Sequence, residues 1–157
     1  MPAEPLRIVF LDFDGVLVND RSIRVRSGGQ STADPLCVDA LNRITDATGA
    51  AIVVTSTWRF EQSRAELCGI LARWGVTGRV IDCTADVCRR RGEEIQAWLD
   101  AHRGLYDIES FVILDDEADM AHLGPTLVQT HFKLGLTLDD AERAIRILAR
   151  GPGQPRP

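Results

Sequence analysis

Two aspartates close an apolar run near the amino end, Ile8-Val9-Phe10-Leu11-Asp12-Phe13-Asp14, and Gly15 follows at once. In a strand, residues two apart share a face, so both carboxylates can reach one site where the strand stops. Acids held close repel unless a cation or a shared proton compensates. A divalent metal is the simplest compensation, and Mg²⁺ prefers oxygen ligands. One carboxylate can then act as nucleophile and the other as acid and base, which outlines a phosphoryl-transfer site. Two more apolar runs end in polar clusters: residues 50–54 run into Thr55-Ser56, and residues 111–114 into Asp115-Asp116.

The elements that must carry these residues follow from the pattern. Strands are expected at 7–13, 50–55, 79–82, 111–114 and 127–130, the first nearly free of alternation, as in a strand covered on both faces. Helices are expected between them. Asp34-Pro35 offers an N-cap and a first-turn proline, and Gly49 closes that helix. A second helix runs from after Arg59 to about Trp74, a third over 92–102, and a fourth from Thr137-x-x-Asp140, a variant capping box, to Arg150. Residues 18–33, with Gly28-Gly29 and the arginines Arg21, Arg24 and Arg26, read as a loop or mobile hairpin. Alternating strands and helices predict a three-layer Rossmann-like α/β fold around a parallel sheet of about five strands. Sites in such sheets lie at the carboxyl ends of the strands, where all three polar clusters fall.

The 157 residues fit one domain, expected over 6–150, with disordered tails at 1–5 and 151–157. A net charge of −5 argues against a general polyanion binder, so any nucleic-acid contact needs a local basic patch. No run is long enough to span a membrane, and the start lacks the basic and apolar stretches of a signal peptide. A cytoplasmic protein without membrane contact is expected. The cysteines Cys37, Cys68, Cys83 and Cys88 and the histidines His102, His122 and His131 show no zinc spacing.

The clusters together resemble the haloacid dehalogenase-like (HAD-like) phosphohydrolase superfamily. Asp12-Phe13-Asp14-Gly15-Val16-Leu17 stands as its first motif, Thr55-Ser56 as the second and Asp115-Asp116 as the fourth. A narrower likeness is carried by Thr55-Ser56-Thr57-Trp58-Arg59, Arg91-Gly92-Glu93-Glu94-Ile95 with Trp98-Leu99, Leu114-Asp115-Asp116 and Gly135-Leu136-Thr137. These residues resemble the small capless phosphatase-like domains of multidomain RNA-repair proteins.

The resemblance implies that Asp12 attacks phosphorus to give an aspartyl-phosphate, while Asp14 protonates the leaving oxygen and later deprotonates water. It implies Mg²⁺ held by Asp12, the Asp14 backbone carbonyl and Asp116, with Asp115 orienting that set. Thr55 and the Ser56 amide would hold phosphoryl oxygens, with Gly15 and Arg59 as further substrate contacts. The sequence departs from the superfamily at the third motif, where a lysine is usual. Lys133 is the only lysine in the chain. Arg89-Arg90-Arg91 is the natural substitute, with Arg90 or Arg91 facing the site, although a solvated basic turn, or Lys133 reaching in from another loop, would also fit. Arg59 could instead form a surface salt bridge. Asp119 braces the site or caps a helix. Trp58 is a base-stacking platform or a core residue, and Trp74 and Trp98 are core.

The stretches between the motifs are too short for a cap domain. An open site with an arginine-rich rim suits a phosphate on something large. The leading expectation is a Mg²⁺-dependent phosphomonoesterase acting on a nucleic-acid or nucleotide terminal phosphate, RNA or DNA. The alternatives are a small-metabolite phosphatase and a degenerate module that binds RNA ends.

Overall fold

A computed structural model describes residues 4–24, 31–86 and 90–150. Arg26, Gly28-Gly29, Cys88, Arg89 and the tail residues 1–3 and 151–157 lie outside the described residues.

Five strands form one sheet: β1 (Leu6–Leu11), β2 (Ala51–Val54), β3 (Val80–Cys83), β4 (Ile108–Asp115) and β5 (Leu127–Gln129). Their order is β3-β2-β1-β4-β5 and every pairing is parallel. The helices are α1 (Asp20–Arg24), α2 (Pro35–Thr48), α3 (Arg64–Arg73), α4 (Arg91–His102) and α5 (Leu138–Ala149). Side-chain alternation along β1 builds the layers. Val9 and Leu11 join a core with Leu41 of α2, Leu67 and Leu71 of α3, and Ala144 and Leu148 of α5. Ile8 and Phe10 face the other way, onto Ile95, Trp98 and Leu99 of α4. This is the three-layer α/β arrangement expected from the sequence. No helix among the described residues is long and apolar enough to cross a membrane.

Two local expectations are corrected. The segment read as loop contains α1, because the Asn19 side chain accepts from the Arg21 and Ser22 amides and nucleates a turn. The helix expected to follow β2 without interruption is split into a 3₁₀ turn, Thr57–Phe60, and α3. Ser63 restarts the helix through a full capping box with Glu66. A second 3₁₀ turn, Ala121–Thr126, precedes β5. The caps on α2 and α5 form as expected, with Asp34 accepting from the Leu36 amide, Gly49 at φ 68°, and Thr137 and Asp140 exchanging bonds.

The sheet ladder continues past the named strands, and this fixes the polar residues in space. The Asp12 amide donates to Leu114 O, Thr55 to Leu11 O, Thr84 to Val54 O and Thr130 to Asp115 O. The backbone of each polar residue is therefore held by its neighbour before any side-chain contact forms.

Candidate active site

Asp12, Asp115 and Asp116 each offer a carboxylate oxygen, and these oxygens lie within 4.8 Å of one another. Asp12 and Asp115 are buried. Asp12 Oδ1 accepts from the Phe13 amide at 2.8 Å. Asp115 Oδ1 accepts from the Glu117 amide at 3.0 Å, and its Oδ2 from Arg91 at 2.5 Å. Among the described residues no side chain bonds the Asp116 carboxylate, so its oxygens remain available.

The turn after Asp12 is wound tightly. The amides of Val16, Leu17 and Val18 all reach Phe13 O, and the Gly15 amide reaches Val18 O. Gly15 has φ +80°, and a Cβ there would stand 2.5 Å from the Asp116 Cγ and Oδ2. Glycine is required twice over, for the left-handed backbone and for the Asp116 carboxylate packed against it. Thr130 Oγ1 donates to Gly15 O at 2.6 Å, tying the turn to the end of β5. Asn19, fully buried, donates to Asp34 Oδ2 and Leu134 O and anchors the turn to α2. Asp14 is held from another direction: the Trp58 indole Nε1 donates to its Oδ2 at 3.0 Å. Trp58 packs edge-on against Phe13 and Trp74, so its ring is fixed while its N–H points at the acid.

Of the described arginines of the third motif, Arg91 is the one the structure brings to the acids. Its Nη1 lies 3.3 Å from Asp12 Oδ2, 2.5 Å from Asp115 Oδ2 and 3.4 Å from Thr55 Oγ1. Gly92 makes this approach possible, because a Cβ there would meet the Met120 backbone at 2.7 Å. The first turn of α4 can lie close enough to the sheet edge to carry Arg91 over it. Arg90 is not brought in. It precedes the helix in an extended conformation, its side chain is 78% exposed, and it pairs with Glu93.

Arg59 is also placed differently from the expectation that it meets substrate. Its Nε donates to Thr84 O and its Nη1 to Thr55 O and Ser56 O, and its Nη2 pairs with Glu94. The side chains of Arg59 and Glu94 are 5% and 2% exposed. With its guanidinium engaged inside the protein, Arg59 positions the Thr55-Ser56 backbone. Both of those residues are fully buried at the edge. Asp119 is exposed and accepts from the Ala121 amide at the start of the 3₁₀ turn. Lys133 is exposed. Arg21 pairs with Asp34 and not with the acidic trio.

Electrostatically the trio is under-compensated. Among the described residues, three carboxylates face the Arg91 guanidinium. Burial pushes the Asp115 carboxyl up to about 7, and the neighbouring Asp12 charge adds to the rise while Arg91 opposes it. Burial likewise raises Asp12 against the pull of Arg91. Hard oxygen donors with excess negative charge fit a divalent cation. The carboxylate oxygens lie within 4.8 Å of one another, close enough for side-chain rotation to bring them toward one cation. Among the described residues no other group of three or more His, Cys, Asp or Glu side chains meets this geometry.

A parallel five-stranded sheet with paired acids at the ends of β1 and β4, hydroxyls after β2 and a cation from the start of α4 defines a HAD-like α/β domain. Residues 8–141 match the family described as the HAD domain in Swiss Army Knife RNA repair proteins, and the chain belongs to that family. No curated protein matches the chain.

Two of the positioning groups escaped the sequence reading. The Asp14–Trp58 bond joins positions 44 apart and the Arg59–Glu94 pair positions 35 apart. Only the Arg91-Gly92-Glu93-Glu94 string hinted at the second.

Proposed function

We propose that residues 6–150 form one capless HAD-like domain that hydrolyses phosphate monoesters with Mg²⁺, through an aspartyl-phosphate on Asp12. The reading is carried by the convergence of Asp12, Asp115, Asp116 and Arg91 on one point of the sheet edge.

Asp12, the Asp14 backbone carbonyl and Asp116 would hold the cation, with Asp115 orienting the set through its bonds to Arg91 and the Glu117 amide. When bound, Mg²⁺ neutralises charge on the transferring phosphoryl group. The Asp12 oxygen not engaged with the cation attacks phosphorus, the phosphorus–oxygen bond to the leaving group breaks, and Asp14 gives its proton to the departing oxygen. Asp14 then takes a proton from water as that water attacks the aspartyl-phosphate. The bond to Asp12 breaks and inorganic phosphate leaves. Arg91 and Thr55 face the phosphoryl oxygens, and the Ser56 amide and the Gly15 backbone complete the cradle. Positioning plus charge neutralisation is most of what phosphoryl transfer requires.

The substrate class we infer is a terminal phosphate on a nucleic acid or nucleotide. The family's description in RNA repair proteins supports it, as do the short connections around the sheet edge. Cys37, Cys68 and Cys83 are free thiols, which suits a reducing compartment such as the cytoplasm. The deciding experiment measures phosphate release from matched 3′- and 5′-phosphorylated RNA and DNA oligomers, with and without Mg²⁺, against a panel of sugar phosphates. Higher kcat/KM on the oligomers, dependent on metal, is expected. Preference for the sugar phosphates overturns the substrate class, and full turnover without divalent metal overturns the cofactor.

A further inference from the structure

Two large grooves occur among the described residues. One, of about 760 Å³, lies at the amino end of β4, lined by Leu105, Tyr106 and Ile108 among others, and none of Asp12, Asp14, Asp115, Asp116 and Arg91 lines it. The other, of about 900 Å³, runs between the 3₁₀ turn and α3 and has Asp14 in its wall. Its size is within the roughly 300–1,000 Å³ typical of small-molecule sites.

We propose that this second groove is the leaving-group subsite and takes the terminal nucleoside of the substrate, with Phe60 as its stacking platform. The inference rests on the reading above, in which Asp14 protonates the leaving oxygen. The group attached to that oxygen must then lie on the Asp14 side of the phosphorus, and the groove is the space there.

Its lining suits a nucleoside. Trp58 and Trp74 line it, and their edge-on packing at 5.6 Å makes a rigid aromatic wall. Phe60 lines it too and is 47% exposed, an unusual state for a phenylalanine fixed in a short turn. The Arg59 guanidinium carbon sits 4.5 Å from the Phe60 ring centroid. Because Arg59 is anchored on Glu94 and three backbone carbonyls, it holds that ring in place from one side. A fixed, half-exposed aromatic ring is what base stacking uses, and such stacking is tolerant of sequence because every base has a π-face.

Charge narrows the occupant further. Among the described lining residues, Asp14, Glu61 and Glu66 outnumber the one cation, Arg73. An acidic wall repels a second phosphate, so the uncharged base and ribose enter the groove, while any polynucleotide beyond the terminal residue leaves it.

The test has two arms. In the first, the protein with Mg²⁺ is given adenosine 3′- and 5′-monophosphate, and glycerol 2-phosphate as a leaving group without a ring. The readout is the ratio of kcat/KM for nucleotide over glycerol phosphate. Phe60→Ala is expected to lower that ratio by roughly 5- to 150-fold, the span of one base–aromatic stack, and Phe60→Trp to restore it. In the second, the Asp12→Asn protein is titrated with the same compounds while tryptophan fluorescence is followed. Trp58 and Trp74 border the groove, whereas Trp98 is buried in the α4 layer. Nucleotide is expected to quench the emission, glycerol phosphate not to, and Phe60→Ala to weaken the quench. Turnover with a ratio unmoved by Phe60→Ala overturns the subsite and leaves the phosphatase reading standing. Quenching that depends on Phe60, with no turnover of any phosphate, overturns the phosphatase reading and keeps the groove as a nucleoside site. Absence of both removes both.

Discussion

Two buried arginine–carboxylate clusters lie side by side at the sheet edge, and they differ in balance. Around Arg59, among the described residues, the guanidinium pairs with Glu94, and its remaining donors are spent on the carbonyls of Thr55, Ser56 and Thr84. Around Arg91, one guanidinium meets Asp12 and Asp115, with Asp116 close by. The first cluster is internally satisfied, and its product is a fixed backbone. The second carries surplus negative charge in a buried place, a state the fold maintains against its own stability. A divalent cation bound there would relieve that repulsion. Proximity to the edge therefore does not separate the two arginines. The ratio of acids to cations does.

The sharpest contrast between the clusters comes from removing one acid. Asp12→Asn is expected to lower kcat on an aryl phosphate by about 10⁴-fold or more, the scale on which loss of a nucleophile is felt. In metal-free buffer the same substitution should raise the melting temperature, because it relieves repulsion with Asp115. Paired kinetic and thermal measurements check this, and a fall in both would place Asp12 in a balanced structural role.

Arg59→Ala or Glu94→Ala is the next largest change. Each strands a buried charge, for which about 3–5 kcal/mol of stability is lost. Activity per folded molecule should fall with it, since Thr55 and Ser56 lose their anchor. The double variant should lose less than the sum of the single ones, and a denaturant-unfolding cycle reads the difference. Additive losses would mean that the two residues act separately.

A third contrast is in pH. Asp115 keeps its proton up to about pH 7 in the metal-free protein, against about 3.9 in an unfolded chain. Between these values the native state binds more protons than the unfolded state, so stability falls as pH rises. From pH 5 to 8 the metal-free protein is expected to lose roughly 1–3 kcal/mol through the Asp12–Asp115 pair. Asp115→Asn should flatten that slope, and Mg²⁺ at about 100 times its Kd should restore about 2.7 kcal/mol at the alkaline end. Thermal melts of both proteins, with chelator and with Mg²⁺, measure all three effects. An unchanged slope in the Asp115→Asn protein would assign it to other groups.

What could be read from the chain divides along the same line. The acids at the ends of β1 and β4 were visible because an apolar run that stops at paired carboxylates has few other uses, and the caps Asp34-Pro35 and Thr137-x-x-Asp140 are local in sequence. Arg91 was narrowed only to a basic triplet, since the choice between neighbours depends on where α4 begins its first turn. The split at Ser63 was legible in Ser63-x-x-Glu66 and was masked by the longer apolar spacing out to Trp74. The role of Arg59 was not legible. Its partner Glu94 lies on a different element, and an arginine beside a phosphate motif reads the same whether it faces inward or outward. Long-range polar pairing is set by how the helices dock on the sheet, which local pattern does not encode.

The smallest expected effect tests whether the positioning bonds matter for chemistry as well as for shape. Trp58→Phe keeps a ring against Phe13 and Trp74 and removes only the N–H that holds Asp14 Oδ2. A poor leaving group needs its oxygen protonated in the transition state, whereas a nitrophenolate does not. The loss in kcat should therefore be about 10-fold on an alkyl phosphate, near the value of one hydrogen bond to a charged acceptor, and far smaller on a nitrophenyl phosphate, with KM little changed on either. An equal loss on both would reduce Trp58 to packing. A loss confined to the alkyl ester would identify the indole as the group that aims the acid, making the aromatic cluster behind Asp14 a working part of the site while the Arg59 cluster beside it remains scaffold.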